Sequence, residues 1–98
     1  MFDKMKELME VKRQAENLKR ELDAATIDVN EVRGIKIVVT GSQNFKSVEV
    51  DSELLKPENK ARFENDLTRS LNAAIKKAQN LAAQKMKSMT GLNLPGLS

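Results

Sequence analysis

The sequence predicts an α+β chain: a long N-terminal helix, a three-stranded antiparallel sheet and a long C-terminal helix. Three observations carry this reading. Apolar residues recur at spacings of three and four near both ends, whereas the middle alternates β-branched residues with polar ones at a period of two. With 98 residues, 40% hydrophobic, 32% charged and three aromatics that are all Phe, the composition suits a single helix-rich domain with a thin core.

The first helix is expected from Asp3 to about Ala25, where Met5, Leu8, Val11, Ala15, Leu18 and Leu22 form one stripe. Strong helix formers fill it, and Glu10 with Arg13, Glu16 with Arg20 and Asp3 with Lys6 are neighbours on its surface. Three strands follow, carrying Ile27 and Val29, then Ile35, Ile37 and Val39, then Val48 and Val50. Gly34 marks one reversal, and Gly41-Ser42-Gln43-Asn44 marks a second. Pro57 suits a first helical turn, and Phe63, Leu67, Leu71, Ala74, Ile75, Ala78, Leu81 or Ala82, and Met86 continue a stripe to Met89. Gly91 is a natural stop, so residues 1–91 read as one domain and 92–98 as a flexible Pro/Gly tail.

At 1.5 Å per residue the two helices are about 35 and 48 Å long, too long to be wrapped inside so small a domain. They are expected to pair as an antiparallel hairpin on the sheet, with the leftover sheet surface buried by a second copy. That pairing would gather Met1, Met5, Met9, Met86 and Met89 at its tip, as irregular gap-fillers or as a soft surface for protein partners.

With neither His nor Cys, the chain lacks the commonest general bases, nucleophiles and transition-metal ligands. Asp28, Glu31, Glu49, Asp51 and Glu53 scatter over short strands without metal-site spacing, and no phosphate-cradling Gly-rich motif occurs. No enzyme activity, cofactor, metal or small-molecule substrate is therefore expected. The N-terminus intersperses charges among its apolar residues and no apolar run could span a bilayer, so the expected location is cytoplasmic, away from membrane.

Charge is distributed unevenly. Residues 1–25 are neutral overall and 26–56 carry one net negative charge, but 57–98 carry seven basic and three acidic groups. No acid follows Asp66, an asymmetry that points to an anionic partner. On a helical wheel with Arg69 at zero, Lys76, Lys87, Arg62 and Asn80 fall within about 20° and Lys77 near 80°, while the apolar stripe centres near 180°. The ridge from Arg62 to Lys87 is about 37 Å long, comparable to one turn of B-DNA at roughly 34 to 36 Å. A solvated Lys face normally carries acids at i±4, and here each Lys lacks one. Lys85, near 160°, falls on the apolar side and is placed at the tip of the arm, where it joins the candidate contacts. Lys6, Arg13 and Arg20 make a weaker ridge on the first helix, compensated by its acids; paired helices would bring Lys4 and Lys6 to the tip beside Lys85 and Lys87. Few aromatics are available to stack on bases, so duplex backbone binding is favoured over single strands.

The order helix, three strands, long helix, together with "VVTGSQNFKSVEVDSELL" and "KMKSMTGLNLPGL", resembles the YbaB/EbfC family of bacterial nucleoid-associated proteins. The similarity covers nearly the whole chain, including the initial Met-Phe, Asn72-Ala73-Ala74 and Leu94-Pro95-Gly96; "NEVRGIK" replaces the Gly-rich stretch many relatives carry before the middle strand. The resemblance implies a tweezer-like homodimer that binds double-stranded DNA in the nucleoid through its projecting helices. The competing reading is a helical-hairpin interaction module or holdase, in which the Met-rich tips grip partners and the Lys residues serve solubility.

Overall fold

The structure, a computed structural model, describes residues 2–90, with side chains for residues 3–88. Gly91 and the Pro/Gly tail at 92–98 lie outside the described residues. Helix α1 spans Phe2–Ala24, strands β1, β2 and β3 span Thr26–Val32, Ile35–Thr40 and Phe45–Val50, and helix α2 spans Lys60–Thr90. The predicted α+β order is therefore the observed one. Pro57 begins a 3-10 turn, Pro57–Asn59, instead of the α-helix itself, because the Asn59 N–H closes back on the Lys56 carbonyl at 2.8 Å.

The sheet is an antiparallel meander in the order β1-β2-β3. Arg33 and Gly34 turn the chain between β1 and β2, and Gly34 adopts φ +94°, a conformation that side chains rarely tolerate. Val29 faces Ile37 and Ile27 faces Val39 across one ladder; Val50, Val48 and Phe45 face Ile35, Ile37 and Val39 across the other. Opposed residues share a face, so this register collects most apolar residues of the three strands on one side, with Val38 facing the other way between Asp28 and Ser47.

Helix α2 lies across that side over β1 and β2. Ala74 and Ala78 are fully buried against Val29, Ile35, Ile37 and Val39, and their single methyl groups let the helix sit close to the strands. Ser70 continues the same helical row and is also buried. Its Oγ donates to the Asp66 carbonyl at 2.9 Å, so no polar atom is stranded. Strand β3 lies beyond the helix: Phe45 is 43% exposed and Val48 46%, and Leu55, just after the strand, is 57% exposed.

The expected full-length helical hairpin does not form. Helix α1 meets the sheet at the end opposite Gly34, where the Gly41 N–H donates to the Ala25 carbonyl at 3.1 Å and Ser42 Oγ to Asp23 Oδ1 at 2.5 Å. Helix α2 must cross the whole sheet before emerging there, so only its last turns are left to meet α1. Leu18 and Leu22 are half-buried, and every residue from Asp3 to Asn17 is exposed. The molecule is consequently elongated, 67 × 25 × 16 Å with a radius of gyration of 18.7 Å, against about 13 Å for a compact chain of this length. Nor do the described methionines meet at one tip: Met86 adjoins Lys85, which pairs with Glu21, whereas Met5 lies about 24 Å further along α1.

Two substitutions test this packing. Ile37→Ala should lower unfolding free energy by about 2–5 kcal/mol in a urea titration, because it empties a site sealed by both α2 and the flanking strands. Gly41→Ala would place a methyl group 2.8 Å from Leu22 Cδ2 and 3.1 Å from the Leu22 carbonyl oxygen. It should cost about 1–3 kcal/mol in the same assay by forcing α1 away from the turn.

Candidate nucleic-acid interface

The seat of α2 on the sheet decides where its charges go. With Ala74 and Ala78 turned inward, Arg62, Arg69, Lys76, Lys77, Asn80 and Lys87 are all exposed along one uninterrupted helix. The ridge read from the wheel is thus a continuous outward surface.

Its two ends differ in charge balance. Arg62 Nε and Arg69 Nη1 each lie 3.9 Å from a carboxylate oxygen of Asp66, whose side chain is only 17% exposed. One carboxylate therefore sits between the first two cations of the ridge, which departs from the expectation of an uncompensated row. Beyond it, Lys76 and Lys77 have no acid within ion-pair distance among the described residues. The excess positive charge is concentrated in the second half of α2, from the stretch seated on the sheet by Ala74 and Ala78 onward.

Lys85 is the second departure. Its Nζ lies 3.8 Å from Glu21 Oε2 and the side chain is partly covered, so it pins the end of α2 to the last turn of α1. It does not stand at a common tip with Lys4 and Lys6, because Lys6 is about 22 Å further out along α1. On α1 itself, Lys6, Arg13 and Arg20 are exposed on the side opposite Leu8, Ala15 and Leu22. Arg13 Nη2 donates to Glu10 Oε2, and this hydrogen bond and the neighbouring charge raise the Arg13 pKa. Of the three α1 cations, Arg13 is thus compensated by a neighbouring acid.

Counting cations alone overlooks two amides. Asn65 and Asn72 are exposed beside the ridge, at about −40° and −60° on the same wheel, and each offers an N–H donor between cations. The hydrogen bond that Ser42 Oγ donates to Asp23 Oδ1 also escapes a reading by periodicity, although it ties the last turn of α1 to the turn after β2, where Ser42 Oγ is itself within hydrogen-bond distance of Thr40 Oγ1. Among the described residues no group of His, Cys, Asp or Glu could hold a metal ion, and no helix is long and apolar enough to cross a membrane.

An exposed line of Lys, Arg and amide donors about as long as one helical repeat of DNA matches phosphate recognition, which needs charge and hydrogen-bond donors but no pocket. Comparison with known proteins indicates a DNA-binding family. A family model described as the YbaB/EbfC DNA-binding family matches residues 1–93. A nucleoid-associated protein of Pelotomaculum thermopropionicum is 31% identical over 99% of this chain and 94% of its own length. Proteins of the same description from Syntrophobacter fumaroxidans and Flavobacterium johnsoniae are each 31% identical, over 98% and 95% of this chain and 89% and 87% of their own lengths. The chain belongs to the YbaB/EbfC DNA-binding family.

Proposed function

We propose that this chain is a nonenzymatic nucleoid-associated protein that binds double-stranded DNA as a homodimer, chiefly through phosphate contacts from α2, and so bears on DNA organisation and gene expression. The observation that carries the reading is the exposed, acid-free run of α2 containing Lys76 and Lys77, aligned opposite the buried Ala74 and Ala78. Arg62, Arg69, Asn80 and Lys87 extend it, while Lys6, Arg13 and Arg20 on α1 and Lys85 at the junction contribute at longer range. The names of the relatives support the nucleoid setting. Contacts of this kind position a protein on the duplex without reading bases, so any sequence preference would come largely from groove shape and bending.

The exposed face of β3 supports the homodimer. Phe45 and Val48 belong to the apolar side of the sheet, yet α2 leaves them half uncovered. A second copy seated there would bury both, together with Leu55, and would carry two sets of basic helices at once.

Charge reversal of Lys76, Lys77 and Lys87 to Glu should abolish duplex binding in a gel shift while leaving circular dichroism and dimer mass unchanged; undiminished binding would overturn the assignment to α2. Val48→Asp should convert the dimer to a monomer in sedimentation equilibrium, since it places an unpaired charge in the joint. An unchanged mass would place the joint elsewhere.

A further inference from the structure

Helix α1 carries an apolar row that the described chain covers at one end only. Leu8, Ala15 and Leu22 recur every seven residues, with Val11 and Leu18 three beyond the first two, which is the a/d seam of a heptad pattern. Leu18 and Leu22 are half-buried where α2 emerges and Lys85 reaches Glu21. Further out, Leu8 is 70% and Val11 63% exposed, with Met5 at 64% beside them. Scattered apolar residues are ordinary on a surface, but a helical row of them marks a contact.

The row alone does not name its occupant; the charges along its margins do. On one margin the heptad places Met5, Lys12 and Lys19, and on the other Glu7, Gln14 and Glu21. Glu7 and Lys12 are exposed, and neither forms an ion pair among the described residues. Two α1 helices packed in parallel set the acidic margin of each against the basic margin of the other, so Glu7 meets the partner's Lys12 and Gln14 meets the partner's Lys19, each twice by symmetry. Packed antiparallel, the same helices would set Lys beside Lys and Glu beside Glu or Gln, which repulsion opposes.

Lys4 takes the next seam position outward, so the exposed run extends only from Leu8 to Ala15, well short of the roughly three to four heptads that mark a self-standing coiled coil. Such a pair forms as the second contact of a dimer joined elsewhere, where tethering raises the effective concentration to about the millimolar range. The exposed face of β3 adjoins it. The turn that bonds to the root of α1 through the Gly41 N–H and the Ala25 carbonyl leads directly into Phe45, the first residue of β3.

We propose that the outer part of α1 is a second dimer contact, paired in parallel with α1 of a second copy through Leu8, Val11 and Ala15 and flanked by ion pairs between Glu7 and the partner's Lys12. The proposal rests on the homodimer reading and adds an orientation to it. Parallel helices related by a two-fold axis require that axis to run along α1, so both copies extend from the same end of the joint.

Because the chain has no Cys, single introduced cysteines report this contact directly. Seam residues of a parallel pair meet their own counterparts, whereas in an antiparallel pair only a residue at the axis does. Leu8→Cys and Val11→Cys, each alone, should therefore form a disulfide between copies at about tenfold or more the rate of Glu16→Cys on the outer side of the same helix, read on a nonreducing gel. Adding Lys12→Glu should slow the Leu8→Cys disulfide by about threefold or more, and adding Glu7→Lys as well should restore it. Sedimentation equilibrium separates the two ways of failing. A dimeric mass with crosslinking at neither or only one of the two positions, or with no response to Lys12→Glu, would overturn the α1 contact alone; a monomeric mass would overturn it together with the homodimer.

Discussion

The seating of Ala74 and Ala78 on Val29, Ile35, Ile37 and Val39 is the contact on which the rest of the structure depends. A helix is about 10 Å across and strands lie about 4.8 Å apart, so one helix covers roughly two strands. The meander has three, and β3 is left over with its apolar side chains half exposed. An uncovered sheet edge and an outward basic helix thus arise from one packing event. Rotating α2 by a third of a turn would bury cations and expose Ala residues, at a desolvation cost no domain this small could sustain.

The same contact separates two kinds of charge along the chain. In the first half of α2, Asp66 sits largely covered between Arg62 and Arg69 and moderates them. In its second half no acid remains, and Lys76 and Lys77 stand on the face turned away from the buried Ala74 and Ala78. Lys85, although in that region, is drawn to Glu21 and fastens the emerging helix to α1. At 39% and 50% exposure that pair adds little stability by itself; its importance is geometric, because it and the Ser42–Asp23 hydrogen bond hold α1 at two points close to the sheet.

Period and turn chemistry made the fold legible before the structure. Ile35, Ile37 and Val39 alternate as a strand must, Gly34 occupies the one backbone conformation that calls for it, and the wheel of α2 separated Ala74 and Ala78 from Lys76 correctly. What periodicity could not convey is which stripe meets which. Helix α1 also shows an apolar stripe, yet most of it packs on nothing in the described chain, because α2 spends much of its length on the sheet. A stripe states that a partner is needed and is silent about its identity. The pairing of Lys85 with Glu21 was hidden for the same reason: the two lie 64 positions apart, and only the place where α2 leaves the sheet brings them together.

The claim at the centre is electrostatic: affinity for duplex DNA comes from cations that α2 holds outward, displacing counterions from phosphates. Its most direct measurement is the salt dependence of binding to a labelled duplex between about 50 and 200 mM salt. If a dimer neutralises about six to eight phosphates, log K should fall against log salt concentration with a slope of about −5 to −7, and unrelated competitor DNA should displace the probe. A slope near zero, or binding that unrelated DNA cannot compete away, would contradict it.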